Sequence, residues 1–153
     1  MALEIRGARP EDLEVLARNN IATAMETEGR ALDPQGAREG VRAVLLDPAK
    51  GFYLLALRDG IPIGQCLVTS EWSDWRNGAF WWLQSVYVVP EERGRGAFKS
   101  LFRELVARSK RTEEVVGIRL YVERGNRLAH EVYSRLGLDG TRYIVFEDDY
   151  TLR

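Results

Sequence analysis

The chain has 153 residues, 22 basic and 23 acidic, and a net charge of −1, which gives no electrostatic support for wholesale binding to nucleic acid or an anionic membrane. Its single cysteine, Cys66, allows neither a disulfide framework nor a zinc site, so no metal is expected. The length suits one domain over residues 1–153; no apolar run approaches the ~18 residues of a membrane span and Met-Ala-Leu-Glu-Ile-Arg is no signal-peptide core, so a cytoplasmic protein is expected.

Residues 3–6 form a short candidate strand, and Pro10-Glu11-Asp12 suits the opening turn of a helix that continues through Leu13, Leu16, Ala17, Asn20 and Ala24. A polar stretch, 25–30, breaks that pattern before Asp33-Pro34 opens a second helix carrying Ala37, Val41, Val44 and Leu45. Residues 52–58 and 61–70 flank Asp59-Gly60, a strong signal for a tight hairpin, and Asn77-Gly78 leads into a third strand, 79–89, that Pro90 ends. Cys66 sits in an alternating apolar run and reads as a small buried thiol.

After a basic glycine turn, Phe98, Leu101, Phe102, Leu105 and Val106 lie on one helical face, predicting a helix over 95–109. Residues 116–122 alternate as a strand, so strand, helix and strand make a β-α-β unit with parallel strands. Asn126 suits the cap of a last helix with Ala129, Val132, Tyr133 and Leu136 on its apolar side and Gly137 at its end. Residues 143–147 and 150–153 are the candidates for one or two closing strands. The expected fold is α/β (α+β): a mixed, mostly antiparallel sheet flanked by about four helices.

The turn between Pro90 and the third helix carries the chemistry. A helix N-terminus offers unpaired N–H groups and the positive end of the dipole, and glycines let a phosphate approach the backbone. Arg93 and Arg95 are expected to add full positive charge there. A nicotinamide dinucleotide site is disfavoured, because Lys99 replaces the third glycine and an antiparallel hairpin precedes the unit.

Strand, Val88-x-Pro90-x-x-Arg93-Gly94-x-Gly96, helix, strand, then Asn126-x-x-Ala129-x-x-x-Tyr133-x-x-x-Gly137-Leu138 resembles the GNAT superfamily of acetyl-CoA-dependent N-acetyltransferases over essentially the whole chain. Phe98 departs from the family motif, standing where a last small residue is usual. The resemblance implies that Arg93, Gly94, Arg95, Gly96, Ala97, Phe98 and Lys99 cradle the pyrophosphate of acetyl-CoA, and that Val86, Tyr87 and Val88 hold the pantetheine arm through their backbone. It also implies that Tyr133 protonates the departing thiolate; packing alone is the other reading of this residue. Asn126 either bonds the cofactor or simply caps its helix.

The implied reaction is direct attack of a primary amine, on a small molecule, peptide or protein side chain, upon the thioester in a ternary complex. Many relatives carry a carboxylate on the strand equivalent to 79–89, but here the polar residues are only Gln84, Ser85 and Tyr87. Glu26 and Glu28 are the candidate acceptor-side carboxylates, against the plainer reading of a solvated interhelix loop. Trp72, Trp75, Trp81 and Trp82, with Glu71 and Asp74 nearby, suggest a cation-accepting aromatic wall; core packing or a homodimer contact competes with it. Adjacent Trp81 and Trp82 must point to opposite faces, one to the core and the other to a loop, cleft or partner. His130 reads as exposed. The alternative function is a non-enzymatic CoA-binding or sensor domain of the same fold.

Overall fold

The computed structural model describes residues 3–152. Five strands form one sheet in the spatial order of the chain: β1 (Leu3–Gly7), β2 (Phe52–Arg58), β3 (Ile61–Ser73), β4 (Gly78–Val88) and β5 (Val115–Leu120). The first four are antiparallel neighbours, and β5 joins β4 in parallel, as the intervening helix requires. The helices are α1 (Leu13–Glu28), α2 (Pro34–Leu46), α3 (Ala97–Arg111) and α4 (Arg127–Arg135). No helix among the described residues is long and apolar enough to cross a membrane.

β2 explains the layering. Tyr53 to Leu57 are all buried, which requires cover on both faces of the strand. Tyr53, Leu55 and Leu57 pack with Leu16 and Ala17 of α1 and Val41 of α2. Successive side chains alternate, so Leu54 and Ala56 face the other side, where α3 contributes Leu101, Phe102 and Leu105. Asp33 caps α2 by accepting from the Gly36 N–H at 2.9 Å, and Gly29, at φ +62°, ends α1 in the left-handed conformation.

The chain divides into two compact units, one running to Tyr121 and the other from Val122 onward. The first holds the sheet and α1 to α3. In the second, the Asn126 side chain accepts from Ala129 N–H at 3.1 Å to start α4, and Gly137 turns to φ +92° just past its end. The expected closing strands do not form: 143–147 is neither strand nor helix, and Tyr150–Leu152 is a short 3-10 turn. Asp149 Oδ1 takes both the backbone N–H and the hydroxyl of Thr151, a local bond that winds the chain rather than extending it. Arg153 lies outside the described residues.

Candidate active site

β4 carries an irregularity where the chemistry is expected. Its pairing with β5 ends at Leu83↔Leu120, so among the described residues 84–88 have no strand neighbour on that side. Toward β3, Gln65 faces Tyr87 and Leu67 faces Gln84, which leaves Ser85 and Val86 opposite the single residue Cys66. This is a β-bulge, and Ser85 adopts φ +48°, strained for a residue with a Cβ. The bulge re-aims the strand as it leaves β5 and presents the Val86 region as an open edge, a template for an extended ligand.

β4 runs into the glycine turn through a short 3-10 turn at Pro90–Glu92. Gly94 and Gly96 take φ +75° and +90°, and a Cβ built on either would meet nothing within 4 Å. Two left-handed glycines with open space beside them turn backbone N–H groups into one concavity. No side chain caps α3 at Gly96, so its N-terminal dipole faces that concavity uncompensated by an acidic cap. These features fit a pyrophosphate. Phe98 turns its ring to Phe102, 6.1 Å between centroids, so the bulky side chain packs against its own helix.

The turn's arginines are not bare charges, contrary to expectation. Arg95 pairs with Glu92 at 3.3 Å, and Glu92, nearly buried, is also held by Arg58 Nε at 3.0 Å. Arg93 Nη2 meets Glu26 Oε2 at 2.8 Å, its Nε donates to the Val88 carbonyl at 2.8 Å, and its guanidinium lies 5.3 Å from the centre of the Tyr87 ring. Tyr87 donates its hydroxyl to Glu26 Oε1 at 3.4 Å. Burial, and then the adjacent Glu26 carboxylate, raise the Tyr87 phenol above its ordinary pKa.

Farther back along β4, Gln84 donates to the Thr69 hydroxyl. Trp82 Nε1 donates to Glu71 at 3.2 Å and its ring lies 4.6 Å from Tyr121. Arg119 neutralises Glu71 at 2.7 Å and covers the Phe80 ring at 3.6 Å. Arg119 therefore already answers the Glu71 carboxylate of the expected aromatic wall, while Trp72 and Trp75 stay exposed. Trp81 stacks edge-on against Phe52 at 5.2 Å. The two indoles meet different neighbours, Phe52 and Tyr121, and both are half-buried, so neither is a fully buried core residue.

The family model described as acetyltransferase (GNAT) family matches residues 17–138. The chain belongs to the GNAT acetyltransferase family. The crystal structure of a possible acetyltransferase from Clostridium difficile 630 is 42% identical, with a TM-score of 0.90 over 97% of this chain and 98% of that one. A predicted acetyltransferase with acetyl-CoA from Clostridium acetobutylicum is 17% identical, TM-score 0.78, covering 96% of each chain. A ribosomal-protein-alanine N-acetyltransferase from Brucella melitensis biovar Abortus 2308 is 16% identical, TM-score 0.76, over 97% of this chain and all of that one. No curated protein sequence matches.

This GNAT protein is thus an acyltransferase enzyme, of a family whose members use acetyl-CoA. Its structure brings together Val86, Tyr87, Val88, the 93–99 turn and Glu26 in the first unit. Glu26 and Glu28 do not lie in an interhelix loop: α1 runs on to Glu28, and the Thr23 and Thr27 hydroxyls are satisfied on the carbonyls four residues back. Asn126 and Tyr133 belong to the second unit. There Asn126 serves as a helix cap, and half-burial raises the Tyr133 phenol above its usual pKa. His130 is exposed, with Nε2 3.1 Å from the Glu123 carbonyl oxygen. Among the described residues no three His, Cys, Asp or Glu gather to hold a metal ion. Sequence reading missed Ser85, whose left-handed backbone has no sequence signature, and Thr69, brought to Gln84 only by strand register.

Proposed function

We propose that this GNAT acetyltransferase is one N-acetyltransferase domain that moves the acetyl group of acetyl-CoA to a primary amine by direct attack in a ternary complex. The observation that carries the reading is the pairing of an open β4 edge at 84–88 with the uncapped nest of Gly94 and Gly96 in one continuous segment. A ligand with an extended arm at one end and phosphates at the other matches that segment. Backbone groups of residues 93–99 hold the pyrophosphate, with Lys99 and the two arginines beside it. Val86, Tyr87 and Val88 hold the arm, and the backbone of this open edge supplies a preorganised donor to the oxyanion. Asn126 is assigned a cofactor contact in addition to its cap.

Acetyl-CoA supplies the activated acyl group. Tyr133 delivers a proton to the departing thiolate; the support is its place in the family pattern, and its phenol, like any tyrosine's, is protonated through the neutral range. The Glu26 and Glu28 carboxylates orient the ammonium of the acceptor and take its proton, since β4 offers only Gln84, Ser85 and Tyr87. Holding the two reactants together accounts for most of the acceleration. The acceptor is a small molecule, a peptide or a protein side chain. No nucleic acid or membrane takes part, and the exposed Trp72 and Trp75 are available for a homodimer contact.

Thiol release from acetyl-CoA across a panel of primary amines tests the reading. Amine-dependent release is expected. Tight CoA binding with no transfer to any amine would instead support a CoA-binding sensor.

A further inference from the structure

The observation is the contact between the last turn of α1 and the first residue of the glycine turn. Glu26 and Arg93 meet at 2.8 Å, and both side chains remain nearly half exposed, 42% and 47%. Arg93 holds two acceptors at once, the Glu26 carboxylate through Nη2 and the Val88 carbonyl through Nε. It thus engages the residues expected to hold the cofactor's arm and presents its charge to a protein carboxylate instead of to an incoming anion. We propose that Glu26 is the resident counter-ion of Arg93, that the cofactor's pyrophosphate displaces it, and that this exchange releases Glu26 to the acceptor only after the cofactor has bound. The inference rests on the reading of the turn as the pyrophosphate site.

Three features make this pair the exchangeable one. A half-exposed ion pair is screened by water and weak, whereas a pyrophosphate offers a guanidinium more charge and several oxygens for bidentate bonding. Arg95 makes the contrast: its partner Glu92 is only 11% exposed and keeps Arg58 as a second cation, so Glu92 stays compensated whatever Arg95 does. Among the described residues Glu26 has no second cation. When Arg93 turns to phosphate, Glu26 retains only the Tyr87 hydroxyl and becomes an unneutralised carboxylate beside a strand that has none of its own.

The helix itself need not move. α1 is pinned by buried amides, with Asn19 Nδ2 donating to Gln65 Oε1 at 2.8 Å and Gln65 Nε2 donating to the Leu16 carbonyl at 3.3 Å. The arginine side chain does the switching, and Glu26 is left in place as a positioning group for the acceptor ammonium. Binding is therefore ordered, with the cofactor first and the amine second.

The test is titration calorimetry with CoA on the wild-type protein, Glu26→Gln and Glu26→Ala, with Glu14→Gln on the first turn of the same helix as the control for lost charge. Removing the competitor should tighten CoA binding by a factor of up to about five at low salt, the scale of one exposed ion pair, with the gain fading as salt rises. The Glu14→Gln control should match wild type. In steady-state transfer, Glu26→Gln should raise the amine KM and lose the ordered pattern, which a merely structural glutamate would not do. Wild-type CoA binding with unchanged or weaker binding by both Glu26 variants overturns the exchange and leaves the site reading intact. No CoA binding by the wild-type protein removes the site reading and the exchange together.

Discussion

Asn19 and Gln65 join their side-chain amides at 2.8 Å between α1 and the sheet, with Gln65 fully buried and Asn19 nearly so. Gln65 also donates to Asn20 Oδ1 at 3.1 Å, and Asn20 in turn donates to the Tyr53 hydroxyl at 3.2 Å. The network is complete: among the described residues no buried side-chain nitrogen or oxygen lacks a partner. It fixes the rotation of α1, and so the direction in which Glu26 points.

Gln65→Leu keeps the side-chain volume and leaves Asn19 Nδ2 and Asn20 Oδ1 without the partner Gln65 supplied. Each unsatisfied buried group costs about 1–3 kcal/mol, so a loss of roughly 3 kcal/mol in urea unfolding is expected after partial relaxation. An unchanged midpoint would mean that the network contributes nothing to stability.

Arg6 and Asp12 pair at 2.8 Å at the entry to α1, where Asp12 also accepts the Arg9 N–H at 2.7 Å. The Arg6 hydrogen bond is the main reason the Asp12 carboxyl is held below its ordinary pKa. A depressed folded value means that Asp12 stabilises the fold fully above its unfolded pKa of about 3.9 and loses that contribution as pH falls through the lower folded value. Asp12→Asn should therefore cost about 2 kcal/mol at pH 7, the scale of a bond to a charged group. The gap to wild type should close in acid; one of equal size at pH 2 and pH 7 would exclude a titrating pair.

Gly96→Glu places a negative side chain at a φ of +90° beside the proposed phosphate nest. Affinity for CoA should fall below detection by calorimetry, through both the strained backbone and the repelled anion. Melting curves separate loss of the site from loss of the fold. Retained affinity in a folded variant would take the turn out of the site.

Tyr133→Phe keeps the ring and removes the proton. We expect turnover to drop by about 10² or more, the usual contribution of a positioned acid, with CoA affinity unchanged. Because the folded pKa is raised, the wild-type phenol stays protonated until pH climbs above its ordinary value of about 10, and the rate should fall only there. The variant should lack that alkaline limb. Identical pH–rate profiles would make Tyr133 a packing residue.

Local chemistry made much of this enzyme legible in one dimension. Asp59-Gly60 demands a tight turn, Asp33 caps the helix that Pro34 opens, the 98–106 periodicity builds one helical face, and the glycines at 94 and 96 let the backbone turn left-handed. Each depends on residues within a few positions of one another, so the amino-acid order alone determined the hairpin, the helices, the β-α-β unit and the left-handed glycine turn. The prediction of closing strands failed for the complementary reason: strand composition at 143–147 is local, but a strand exists only with a ladder partner.

Only the tertiary structure decided the electrostatics of the site. Glu26 and Arg93 are brought together by α1 packing on the sheet, and Arg119 of β5 reaches Glu71 of β3 across β4. Such pairings join residues 67 and 48 positions apart, at distances set by sheet register and helix packing, which no short-range pattern encodes. The sequence placed positive charge at the glycine turn; folding decided that a carboxylate from the first helix already answers it.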